Sequence, residues 1–78
     1  MDINQFISNI ADQYYDTPRE NFNVDTDFRQ FEEWSSMTGL CILSMIKDEY
    51  GFFLNPQEMK TCRTIGELYE AVKKHLNE

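Results

Sequence analysis

From Ser36 to Ile46 the chain carries no charged residue, and from Ser36 to Tyr50 its apolar side chains recur at helical spacing until Gly51 interrupts them. At about 100° per residue, Gly39, Ile42, Leu43, Ile46 and Tyr50 fall on one arc. Met37, Cys41, Ser44 and Asp48 fall opposite, with Leu40 and Lys47 between. A helix of this kind must bury its first arc. Gly51 can adopt the left-handed conformation that closes it. The rest of the chain must therefore supply the surfaces that cover this helix.

Two other segments have matching stripes. Ile3, Phe6, Ile7, Ile10 and Tyr14 lie within about a quarter turn of one another, which predicts a helix over residues 2–15 with Asp2, Asn4, Asn9 and Asp12 off the stripe. Ile65, Leu68, Tyr69, Val72 and Leu76 form the second stripe. It is opened by a cap signature, Thr64-Ile65-Gly66-Glu67, and closed by Lys73, Lys74 and His75, whose positive charge suits a helix C-terminus. His75 is read as a dipole partner. Between Gly51 and Thr64, Asn55-Pro56-Gln57-Glu58 has a cap, a first-turn proline and an acid at the third position, predicting a brief helix through Met59 to Thr61.

Residues 17–35 show no sustained period. Thr17-Pro18-Arg19-Glu20 reads as a stop with a possible short turn, and Phe22, Val24, Phe28, Phe31 and Trp34 are spread between charges. So long a loop is unusual in a small domain. Either residues 27–32 are helical, or the segment is a connection pinned to the core by its aromatics, and the spacing favours the second. No stretch alternates cleanly enough for a strand. The expected fold is all-α, a small four-helix bundle of three longer helices and one short third helix, with a long loop between helices 1 and 2.

At 78 residues there is room for one modest core, and little for an enzyme pocket. Fourteen acidic residues against seven basic ones give a net charge of -7, which disfavours nucleic acid and anionic lipid and favours basic protein patches. Apolar runs are too short to insert in a membrane, and Met1-Asp2-Ile3-Asn4-Gln5 lacks a secretory signal pattern, so a cytoplasmic location is expected. Cys41 and Cys62, with one distant histidine, make neither a zinc spacing nor a redox pair, and are expected to be free thiols. No catalytic or metal-ligating constellation is evident. Glu32-Glu33 and Asp48-Glu49 read as solvated faces.

Two features remain. One is an apolar strip of Met37, Leu40, Cys41 and Met45 on the outward arc of the central helix, rimmed by Glu33, Lys47 and Asp48, which is either a docking surface for a partner or covered because the bundle wraps this helix on more than one side. The other is the serine at the head of that helix. The run Phe28-Arg29-Gln30-Phe31-Glu32-Glu33-Trp34-Ser35-Ser36-Met37-Thr38, followed by an apolar helix ending Asp48-Glu49-Tyr50-Gly51, resembles the Asp-Ser-Leu segment of the acyl carrier protein family. The order of helices also matches, across 1–78 as a single acyl-carrier-like domain.

The resemblance implies that Ser36 receives 4′-phosphopantetheine from coenzyme A through a phosphopantetheinyl transferase, and that the arm holds acyl intermediates as thioesters. It implies no catalysis by the chain itself. Partners would be acyl-loading, condensing and acyl-transfer enzymes meeting a monomer at Ser35, Met37, Leu40, Cys41 and Ser44. It also implies an interior, Ile42, Leu43 and Ile46 facing Ile7, Ile10, Leu68 and Val72, that opens to shelter an acyl chain.

The chain departs from the family at Ser35, where an aspartate is usual, and in the uncharged outward side of Thr38, Cys41 and Ser44, with Lys47 beyond. Fatty-acid carriers are acidic there. This points to a dedicated fatty-acid-like, polyketide or other specialised pathway with apolar recognition. A peptidyl carrier is disfavoured, because Glu33-Trp34 stands where that group has Gly-Gly. The alternative from another class is an unmodified helical interaction adaptor in which Ser36 is only a helix cap.

Overall fold

Each α-helix begins after a residue whose side chain satisfies an otherwise unpaired N–H. In the computed structural model, which describes residues 1–77, α1 spans Ile3–Ala11, α2 Ser36–Tyr50, α3 Pro56–Lys60 and α4 Ile65–His75. Asp2 caps α1 and Ser35 caps α2, while Asn55 caps α3 by accepting from the Gln57 N–H (2.8 Å). Thr64 and Glu67 form the reciprocal box predicted for α4. Gly51 closes α2 at φ 86°, with its N–H on the Lys47 carbonyl. Among the described residues there is no strand, so the all-α bundle of three longer helices and a short third one is the fold.

Helix α1 is shorter than the 2–15 stripe suggested. The N–H groups of Gln13 and Tyr14 bond three residues back, to Ile10 and Ala11, tightening the chain into a turn. Tyr14 nevertheless stays buried, because the turn carries it to the core by another route. Asn9 is a second difference. It lies at the buried edge of α1, accepting from Gln5 Nε2 and donating to the Tyr50 hydroxyl, each at 3.0 Å.

The α1 helix packs on α4 and on α2. Phe6, Ile10, Ile42, Ile46, Leu54, Ile65, Leu68 and Val72 are fully enclosed between them, together with Phe28 from the long connection. Burying a side chain of this size contributes about 1.5–3 kcal/mol, the main term that offsets chain entropy in so small a core. All seven residues named as the potential acyl lining are buried.

The long connection is pinned, not helical, over residues 27–32. Tyr14, Phe22 and Phe31 make a triangle of rings with centroids 4.9–5.5 Å apart. Farther along, the connection docks on the start of α4, where the Ile65 and Gly66 N–H groups donate to the carbonyls of Thr26 (3.0 Å) and Val24 (2.8 Å). Asp27 and Thr64 form an isolated bridge there. The approach leaves no room for a side chain at Gly66, since a Cβ would sit 3.0 Å from the Val24 carbonyl oxygen. One turn of 3-10 helix, Arg19–Asn21, follows Pro18 as the short turn expected there.

Arg29 ties the connection to α3. Its guanidinium donates to the carbonyls of Met59 (2.5 Å) and Cys62 (2.7 Å), placing positive charge where α3 ends. His75 does more than face the end of α4: it contacts Glu58 of α3 (2.8 Å) and stacks on Phe52 at 4.7 Å. Cys41 is exposed and Cys62 buried, both free. Burial raises the Cys62 thiol above its usual range.

Candidate functional site

The two serines at the head of α2 differ in their contacts. Ser35 is extended, at φ -156° and ψ 173°, and its hydroxyl accepts from the Thr38 N–H (3.3 Å). Ser36 is the first helical residue and is exposed. Its hydroxyl has no hydrogen-bond partner among the described residues, so the cap of α2 is Ser35, not Ser36 as the adaptor alternative had it. The N–H groups of Ser36 and Met37, at the positive end of the helix, are likewise unpaired among the described residues.

Thr38 locks the turn from inside. It is buried, and its hydroxyl donates to the Glu33 carbonyl (3.2 Å) while lying 3.4 Å from the Ser35 oxygen. Glu33 itself is not the solvated charge expected of it. Its carboxylate accepts from the N–H groups of Tyr15 (2.7 Å), Asp16 (3.0 Å) and Thr17 (2.8 Å) and from the Thr17 hydroxyl (2.6 Å). The Thr17 hydroxyl, and after it the three backbone donors, hold the Glu33 carboxyl below the usual carboxylate range.

A cleft of about 430 Å³ runs beside Ser36, between α2, α3 and the connection. Trp34, Leu40, Leu43 and Met59 give it apolar walls, and Arg29 and Lys60 bring positive charge to it in an otherwise acidic protein. Gly39 sits beneath Trp34: a Cβ there would lie 3.2 Å from the end of the indole. The sequence reading missed Arg29 and Lys60, because only packing brings residues so far apart in the chain beside Ser36.

On the outward side of α2, Met37 and Leu40 are 66% and 55% exposed, and Cys41 and Ser44 are exposed beside them. A shallow groove joins this face to Gln13, Asp48 and Glu49. Met45 is covered. It is 8% exposed and belongs to the core, which narrows the apolar strip to Met37, Leu40 and Cys41.

An unengaged hydroxyl, unpaired N–H donors beside it and a partly cationic cleft suit a group attached through a phosphodiester. An all-α bundle with this serine at the head of its central helix has the arrangement of a carrier domain. A family model described as the phosphopantetheine attachment site matches residues 5–72, and the chain belongs to that family. The family binds 4′-phosphopantetheine covalently, and its members are carriers that work with phosphopantetheinyl transferases and biosynthetic enzymes. Comparisons with curated proteins and with solved structures give no match. No helix among the described residues is long and apolar enough to cross a membrane.

Proposed function

We propose that the chain is a single carrier domain, residues 1–78, that accepts 4′-phosphopantetheine on Ser36 and serves a dedicated acyl pathway as a cytoplasmic monomer. The observation that carries this is the contrast between the two serines: Ser35 caps α2, leaving the Ser36 hydroxyl exposed and unengaged.

In the transfer, a bond forms between Ser36 Oγ and the phosphorus that bears pantetheine in coenzyme A. The pyrophosphate P–O bond breaks, adenosine 3′,5′-bisphosphate leaves, and the serine proton passes to a base of the transferase. Ser36 presents the nucleophile, while the Ser36 and Met37 N–H groups would be available to the new phosphodiester. Once attached, the arm supplies a thiol that holds acyl groups as thioesters. Met37, Leu40 and Cys41, with Ser35 and Ser44 at the margins, form the surface that partner enzymes meet. That surface lacks the charge needed for broad electrostatic docking, which supports dedicated partners. Turnover by general fatty-acid synthesis enzymes at the rate of a housekeeping carrier would overturn the dedicated-pathway part.

The test is intact mass after incubation with coenzyme A and a broad-specificity phosphopantetheinyl transferase. One phosphopantetheinyl group should be added to the wild type and none to Ser36→Ala. Addition to both variants would move the site elsewhere. No addition with several transferases would favour the adaptor reading.

A further inference from the structure

The residues that order the head of α2 extend beyond the helix itself. Glu33 stands three residues before Ser36, with one end of the residue on each of two segments. Its carboxylate gathers four donors from Tyr15, Asp16 and Thr17, in the turn that leaves α1. Its carbonyl accepts from Thr38, whose N–H is capped by Ser35. A continuous chain of hydrogen bonds therefore runs from the turn after α1, through Glu33 and Thr38, to the residue preceding Ser36.

We infer that Glu33 is a positioning residue for phosphopantetheinyl transfer, holding the first turn of α2 in the arrangement that presents Ser36 to the transferase. This rests on Ser36 being the attachment site. Glu33 touches neither the reacting hydroxyl nor the attached group, and acts by keeping the turn ordered. The first four N–H groups of a helix have no partner within it, so the first turn frays when its outside anchors are removed. If the ordered state is populated for only a fraction of the time, the apparent affinity of the transferase falls by that fraction while turnover of the bound complex is unchanged.

The test uses the full chain, coenzyme A and a broad-specificity transferase, with initial rates from intact mass over a range of carrier concentrations. Glu33→Ala should raise KM for the carrier by about fivefold or more, with kcat nearly unchanged. Thr17→Val, which removes one of the four donors, should raise KM less, and it keeps the test available if Glu33→Ala does not fold. Ile65→Val, a core change at the start of α4, controls for general loss of stability and should leave KM at the wild-type value.

If Glu33→Ala and Thr17→Val melt earlier but match Ile65→Val in KM, the role is structural only and the inference fails while the attachment site stands. A fall in kcat at unchanged KM would also overturn it, because that places Glu33 in the chemical step. If the wild type itself gains no mass, the attachment reading fails and this inference fails with it.

Discussion

The phenol of Tyr14 donates a hydrogen bond to the backbone carbonyl of Phe28, inside the core. The bond joins the turn after α1 to the middle of the long connection. Burial is the main reason the Tyr14 hydroxyl is held in its protonated, donating form well above the usual tyrosine range. Tyr14→Phe would keep the ring contacts with Phe22 and Phe31 and leave the Phe28 carbonyl buried without a donor. The expected cost is about 1–3 kcal/mol. In a domain of this size that is a fall in Tm of about 4–8 °C for each kcal/mol. Thermal unfolding followed by circular dichroism checks it, and an unchanged Tm would mean that water or a shifted backbone replaces the phenol.

Gly66→Ala tests whether local preference or the fold decides. Alanine in place of glycine inside a helix is ordinarily favourable by up to about 1 kcal/mol. Here the added Cβ would meet Val24 Cγ2 at 2.7 Å and the Val24 carbonyl oxygen at 3.0 Å. The valine side chain can rotate away. The carbonyl cannot move without loosening the bond it accepts from the Gly66 N–H. Net destabilisation of about 1–3 kcal/mol is expected, measured by urea unfolding. A more stable variant would show that the connection is free to lift from α4.

Acid should dissolve the carboxylate anchors in a defined range. Glu33 is held low first by the Thr17 hydroxyl, and Glu67 first by the Thr64 N–H and then by that of Arg63. Both lie below the ordinary value of 4.5. A carboxyl lowered on folding stabilises the native state fully above its unfolded value, and that contribution is lost as pH falls through the folded one. The stability gap between wild type and Glu67→Gln should therefore be constant from about pH 7 to about pH 5 and close below 4.5. Paired thermal melts across that range are the measurement. A gap independent of pH would show that the capping box does not depend on the carboxylate charge.

What could be read from the sequence was set by how local each cause is. The start of α4 and the end of α2 were legible because Thr64, Glu67 and Gly51 act within a few residues of themselves. The length of α1 was not. The stripe continues to Tyr14, but Tyr14 is bonded to Phe28 and the residue after it, Tyr15, to Glu33, and no periodicity reports those partners. Asn9 lies off the apolar stripe by its spacing, and the partner that holds it at the buried edge, Tyr50, lies 41 residues away. At the head of α2, the resemblance singles out Ser35 and Ser36, whereas which of them caps the helix is settled only by the contact from Ser35 to Thr38. Met45 follows the second of the two readings of the strip, because a helix in a small bundle is covered on more of its circumference than a single stripe suggests, while Met37 and Leu40 follow the first.

Because Ser35 alone caps α2, the fold has no use for the Ser36 oxygen. Its loss removes no internal bond among the described residues. Alanine at this position is therefore a blank tile in an intact surface, keeping Met37, Leu40 and Cys41 in place for any enzyme that recognises them. On the proposed function, such a protein would compete for the same partners without ever delivering a cargo. On that proposal it separates recognition from delivery, two properties that would otherwise reside within two turns of one helix.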